Sequence, residues 1–300
     1  MSLNKQTDFF KKIDINQFFH KSISTFMHCD DNHFVNISDI KIMESVGRRG
    51  LENRSYLVEF KIQEPNGLKS DKIIAKQINK NLKFYSHLKI NENYFSKTLS
   101  IKIPVIKHID YNFGFIFREY IFGTNIDEIL NQIFLQKSVE DWHIRLFENI
   151  GRGLAELNHN LNMVHGDSRT SNWIFDDKNN IIFLIDWDVA GIGDPGYDLS
   201  KLIYSIGRKF SKTIRMSDLE SQDQMIMLFD QICLAILTGY SKIDLAQSTI
   251  KNFTKYGIYY VFSVSPQIHK RIFYYSNYSS LEFRLLSKFL YPFLWLNKFK

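Results

Sequence analysis

The stretch from residue 163 to residue 198 constrains this chain more than any other. His165-Gly166-Asp167 is followed, five residues after the aspartate, by Asn172. Two apolar runs come next, Trp173-Ile174-Phe175 and Ile181 to Ile185, separated by the polar turn Asp176 to Asn180. The second run ends on Asp186. Apolar runs joined by a short polar turn read as a β-hairpin. A hairpin brings its open ends together, so Asn172 and Asp186 are expected to be neighbours, with Asp167 on the same rim. One amide oxygen and two carboxylates at one place make a hard, oxygen-rich site, of the kind that holds Mg2+ with part of its water shell. Further along stand Gly193-Asp194-Pro195 and Asp198-Leu199.

Asp-x-x-x-x-Asn, then a strand, then a second Asp is the order of a kinase catalytic loop and its metal aspartate. There the first Asp accepts the acceptor's hydroxyl proton and the other two residues hold the metal. The segment resembles the aminoglycoside phosphotransferase and choline kinase superfamily. Its loop reads H-G-D-x-x-x-x-N, its metal motif I-D-[WF]-[DE] matches Ile185 through Asp188, and its tail G-D-P-x-x-D-L matches Gly193 through Leu199. Several matches in order within so short a span are far more specific than any single short motif.

The resemblance implies an α+β, two-lobed protein-kinase-like fold, with a small antiparallel β-rich lobe and a larger, mainly helical one. It implies transfer of the γ-phosphate of ATP or GTP, with Mg2+, to a hydroxyl of a metabolite or antibiotic. Asp167 would be the catalytic residue, Asn172 and Asp186 the metal ligands, and His165, Arg169, Asp188 and Asp198 supporting residues. His165 is expected to orient the loop through hydrogen bonds. Arg169 would touch an anionic substrate or the transferred phosphoryl group, or else pair with a structural carboxylate. Asp198 opens a helix whose apolar face is Leu199, Leu202, Ile203 and Ile206. A carboxylate there is expected to accept that helix's own amides, and the resemblance adds a brace to the catalytic loop.

Upstream, residues 1–35 read as an N-terminal extension with a short helix. Residues 36–121 read as the nucleotide-binding lobe and 122–300 as the catalytic lobe. In the first, Ile40 to Met43 is a strand leading to a turn with Gly47 and Gly50. Tyr56, Val58, Phe60 and Ile62 alternate with polar residues in a second strand. Ile73 to Ile78 is a third, with Lys76 at its centre. Glycines let a backbone approach phosphates closely, and a lysine on the third strand of a kinase reaches the α- and β-phosphates. Asn53 to Tyr56 adds to the resemblance. A helix glutamate should pair with Lys76. Two registers compete, one with Asn81 at the acidic position and one with Glu92, and Glu92 is preferred because it supplies a carboxylate. Phe115 to Phe117 reads as a strand leading into a linker whose Glu119 and Ile121 backbone groups would bind adenine. Ile144, Phe147, Ile150, Leu154 and Leu157 recur at helical spacing and mark a buried stripe.

The chain has 300 residues and a net charge of +6. Residues 201–300 hold 14 Lys/Arg against 6 Asp/Glu, a balance of +8, so the remainder carries −2. A basic final third argues against polycationic aminoglycosides as acceptors. Choline, a sugar and an acyl conjugate stay open. No Lys/Arg block or zinc spacing points to nucleic acid, so the expected partner is a small-molecule hydroxyl acceptor and no nucleic acid. No apolar run is long enough for a transmembrane helix. Two cysteines and no secretory signal favour a cytoplasmic setting. The competing reading is a nucleotide-binding pseudokinase scaffold. Oligomeric state, and ATP versus GTP, are not read from the sequence.

Overall fold

The structure, a computed structural model, describes residues 15–27, 36–44, 55–64, 67–78, 82–214 and 219–243. It divides into two compact units. One comprises the residues up to Asn91 together with Pro104–Tyr120, the other Glu92–Ile103 together with the residues from Ile121 onward.

The first unit is a five-stranded antiparallel sheet in the order β1-β2-β3-β5-β4. Its strands are β1 (Asn36–Glu44), β2 (Ser55–Glu64), β3 (Gly67–Gln77), β4 (Ile106–Asp110) and β5 (Phe115–Glu119). The period-2 pattern of β2 explains its burial, since Tyr56, Val58, Phe60 and Ile62 are buried and the residues between them are not. β3 extends six residues further toward the N-terminus than its apolar run, because Gly67 to Lys72 pair with Glu59 through Glu64 as an exposed hairpin arm. Helix α1 (Ile15–Met27) lays Phe18, Phe19, Ser22 and Ile23 onto the sheet. Phe18 meets Phe113 edge-on at 5.1 Å, and Phe19 meets Phe115 and Phe117 edge-on at 5.8 and 6.0 Å. Each fully buried ring contributes about 1.5–3 kcal/mol, so this aromatic cluster is the main tie between helix and sheet. Helix α2 (Leu82–Ile90) follows β3.

The second unit begins with the short helix α3 (Glu92–Thr98). Strands β6 (Thr124–Asn125), β7 (Trp173–Asp176) and β8 (Ile181–Leu184) form a small antiparallel sheet. Around it lie α4 (Ile126–Gln136), α5 (Asp141–Ala155), α6 (Pro195–Ile214) and α7 (Leu219–Ser241). Of the predicted stripe, Phe147, Ile150 and Leu154 on α5 and Leu157 in the π-helical turn after it (Glu156–Asn160) are buried, and Ile144 is half-buried. Helices α5 and α7 touch backbone to backbone. A Cβ on Gly151 would lie 2.0 Å from the Ile236 carbonyl oxygen, and one on Gly239 would lie 1.9 Å from that of Glu148. Only glycine admits so close a crossing. A β-rich unit followed by a helical one makes this a two-lobed, kinase-like α+β fold.

Candidate active site

The hairpin of the second unit is β7–β8, with Trp173 opposite Leu184 and Asp176 opposite Ile181. At its open end the Ile185 amide donates to the Asn172 carbonyl at 2.9 Å. That bond sets Asp186, the next residue, beside Asn172. Asp186 has φ +68°, a left-handed conformation that non-glycine residues adopt rarely and mostly where function or packing demands it. Asn172 ends a single 3-10 turn (Thr170–Asn172) and reaches back to Asp167. Its Nδ2 donates to the Asp167 carbonyl at 2.7 Å and to Asp167 Oδ2 at 3.3 Å. Both bonds use the nitrogen, so the amide oxygen has no hydrogen-bond partner among the described residues. Among those residues no three of His, Cys, Asp and Glu gather into a complete metal cage. One amide oxygen and one or two carboxylates leave positions for water and phosphate oxygens, a donor set that suits Mg2+.

The loop ahead of the hairpin is bound from three sides. Val164 exchanges both backbone bonds with Gly191, at 2.8 and 3.0 Å. Gly166 has φ +75°, and a Cβ there would lie 2.6 Å from the Val189 carbonyl oxygen, so the middle residue of His-Gly-Asp must be glycine. Beneath the loop, Asp198 of α6 is fully buried. Its Oδ2 accepts from the His165 amide at 2.6 Å and Asn158 Nδ2 at 3.2 Å, and its Oδ1 accepts from the Gly166 amide at 2.8 Å. Burial pushes this carboxyl up, and His165, the two amides and Asn158 pull it down. Both oxygens accept N–H bonds, which is the geometry of an ionised carboxylate. The helix amides that Asp198 was expected to cap are served elsewhere: α6 starts at Pro195, and Asp194 accepts from Gly196 at 2.9 Å through its side chain and from Tyr197 at 3.0 Å through its carbonyl.

His165 is wholly buried. The Asp167 amide donates to its Nδ1 at 3.2 Å, so Nε2 carries the hydrogen and donates to the Ile185 carbonyl at 3.0 Å. Burial lowers its pKa, against the pull of Asp198, Asp167 and Asp186. The neutral ring ties the loop to the end of β8 and lies edge-on to Trp187 at 4.8 Å. Trp173 holds the same loop from the other side, Nε1 to the Ser168 carbonyl at 2.9 Å.

Asp167 is the most crowded charge. Arg169 donates to its Oδ2 through Nε at 2.8 Å and through a second, terminal nitrogen. Lys201 Nζ lies 2.7 Å from Oδ1, although that oxygen receives no well-directed hydrogen bond. Burial alone would raise this carboxyl; Arg169 and Lys201 outweigh it and hold the group below the usual carboxylate range. Asp188 is half-buried two residues beyond Asp186.

In the first unit, Lys76 is buried on β3, paired across to Ser55 and Ile116. Glu119 closes β5. Its amide donates to the Val105 carbonyl at 3.0 Å and its carboxylate accepts from the Val105 amide at 2.8 Å. Glu92 opens α3 of the second unit and is half-buried, with Ile121 also in that unit. Gly47, Gly50, Asn53, Asn81 and the aromatic run after Tyr256 lie outside the described residues. Sequence reasoning missed Lys201, Asn158 and Tyr240. Lys201 had a signal, because it is one turn after Asp198 and so shares its helix face. Asn158 and Tyr240 had none, being brought to the loop only by packing.

Fold and loop together resemble those of kinase-like phosphotransferases. Residues 131–224, about a third of the chain, match the phosphotransferase enzyme family, a likeness in line with the resemblance to aminoglycoside phosphotransferases and choline kinases. Two curated relatives are an EKC/KEOPS complex subunit of Schizosaccharomyces pombe, 31% identical over 40% of this chain and 50% of the relative, and the KEOPS complex subunit Bud32 of Pyrococcus abyssi, 27% identical over 36% and 47%. The chain thus spans about half the length of the curated relatives it matches. These names overturn the expectation of a small-molecule kinase. They overturn with it the expected partners, a small-molecule hydroxyl acceptor and no nucleic acid, since both relatives are named as subunits of a complex. The physical reason for the error is that the loop motifs specify phosphoryl chemistry and say nothing of the acceptor. Among the described residues no helix is long and apolar enough to cross a membrane.

Proposed function

We propose that the chain is an ATP-dependent phosphotransferase that works as a subunit of a KEOPS-type multiprotein complex, with its acceptor hydroxyl carried by a protein. The observation that supports phosphoryl chemistry is the meeting of Asp167, Asn172 and the left-handed Asp186 at the open end of one hairpin. The likeness to two complex subunits supports the setting.

In this reading Asn172 and Asp186 would hold Mg2+, which would supply positive charge against the charge that develops on the phosphates. Lys76, within the first unit, would bind nucleotide phosphate. Asp167 orients the acceptor hydroxyl and takes its proton. The acceptor oxygen bonds to the γ-phosphorus as the bond from that phosphorus to the β,γ-bridging oxygen breaks, and ADP leaves with the electron pair. With so loose a transition state, positioning and charge balance supply most of the acceleration.

The test incubates the full chain with Mg2+ and γ-labelled ATP and follows label into protein and into inorganic phosphate. Wild type should transfer label, and Asp167→Asn should lower the rate about 10²–10⁴-fold, the usual worth of a positioned proton acceptor. Equal rates in the two proteins would remove Asp167 from the chemistry. Label that reaches neither protein nor water, with ATP left intact, would remove the phosphotransferase itself.

A further inference from the structure

Asp167 has a cation on each carboxylate oxygen, and the two cations are not equivalent. Arg169 sits two residues away on the same loop. Its side chain is 49% exposed and it grips Oδ2. Lys201 comes from α6 and its side chain is 23% exposed. Its Nζ lies 2.7 Å from Oδ1, donates to the Gly166 carbonyl at 3.0 Å and stands 5.6 Å from the centre of the Tyr197 ring. Three anchors fix that ammonium. One turn earlier on the same helix face, Asp198 holds the His165 and Gly166 amides. α6 therefore sets both the backbone of the loop and the carboxylate it carries.

An acceptor hydroxyl must reach an oxygen of Asp167 to give up its proton. Oδ1 receives no well-directed hydrogen bond, so it keeps a lone pair for that hydroxyl while Lys201 balances its charge. An exposed pair on a flexible side chain is weak and exchanges readily, whereas a part-buried ammonium with three partners is pre-organised. We propose that Lys201 is a positioning residue for Asp167: it stays beside Oδ1 through the cycle and holds that oxygen toward the acceptor hydroxyl. This rests on the phosphotransferase reading above. It assigns Lys201 a role that the loop motifs do not contain.

The experiment compares Lys201→Met, Lys201→Arg and Arg169→Gln in the full chain, with Mg2+ and ATP as the probe and water as the acceptor. Misplacing a reacting group by about 1 Å can cost on the order of 10²-fold. Lys201→Met should therefore lower kcat by about 10–100-fold, with KM for ATP and the thermal midpoint close to wild type. Lys201→Arg should restore most of the rate, and Arg169→Gln should lose less of it than Lys201→Met, as expected for the more exposed pair. Wild-type turnover in Lys201→Met overturns the proposal. So does a loss in Arg169→Gln as large as in Lys201→Met, or a lowered thermal midpoint that Lys201→Arg does not rescue. Side-chain nitrogen NMR reads the pairing without turnover. One slowly exchanging lysine ammonium signal should vanish in Lys201→Met and also in Asp167→Asn, and its survival in Asp167→Asn overturns the proposal. A wild-type chain that hydrolyses no ATP but shows this signal would refute the phosphotransferase reading and leave the Lys201–Asp167 pair standing.

Discussion

At the scale of single residues, the loop is governed by one buried carboxylate acting on backbone. Asp198 accepts two amides and an asparagine nitrogen. Removing it orphans those donors, and each buried unsatisfied amide costs about 1–3 kcal/mol. Asp198→Ala should therefore cost roughly 2–6 kcal/mol from the two amides alone and abolish turnover, as read by chemical denaturation and γ-label transfer. A stability within about 0.5 kcal/mol of wild type, the range usual for plain surface changes, would show that water replaces the carboxylate. The identities of Asp167, Asn172, Asp186 and Asp198 were legible in the sequence because each belongs to a spaced motif. The second cation on Asp167 was legible only through Asp198: Lys201 is 34 positions from Asp167 but one turn after Asp198 on the same helix face.

At the scale of elements, the strands of the first unit announced themselves through period-2 burial. The hairpin of the second unit did so through two apolar runs and a polar turn. The helix start was misjudged by three residues, because an aspartate in a first turn looks the same whether it serves its own helix or a neighbouring loop. The crossing of α5 and α7 was invisible, since Gly151 and Gly239 lie in unremarkable helical sequence and matter only once the helices meet. That contact makes a sharp prediction. Gly239→Ala places a Cβ 1.9 Å from the Glu148 carbonyl oxygen, so the helices must separate. Overpacking of this kind costs about 1–3 kcal/mol. Thermal melting should show a lower midpoint than wild type, and an unchanged midpoint would mean the two helices slide apart without loss.

At the scale of the whole molecule, pH dependence follows from histidines kept neutral by the fold. Burial holds His143 and His108 below the ordinary value of 6.5, with Lys89 adding to the effect on His108. The Glu140 amide donates to His143 Nδ1 at 3.0 Å, a bond that protonation breaks. A histidine lowered in the folded state binds more protons when unfolded, so stability rises with pH. That contribution is complete above about 6.5 and is lost as the pH falls through 6.5 toward the folded pKa values. Asp198, raised by burial, has the opposite sign: its cost at neutral pH is relieved as the pH falls toward the ordinary carboxylate value. The thermal midpoint should therefore drop between pH 7.5 and 5.5, and His143→Gln should flatten that drop; identical slopes would clear His143 of a part in it. Finally, the Tyr240 hydroxyl donates to Asn158 Oδ1 at 3.1 Å, and Asn158 in turn donates to Asp198 and to the Met163 carbonyl. A proteolytic nick or premature stop ahead of Tyr240 would thus silence the chemistry without deleting any of the loop: the keystone of the arch stands more than seventy residues downstream of the stones it locks.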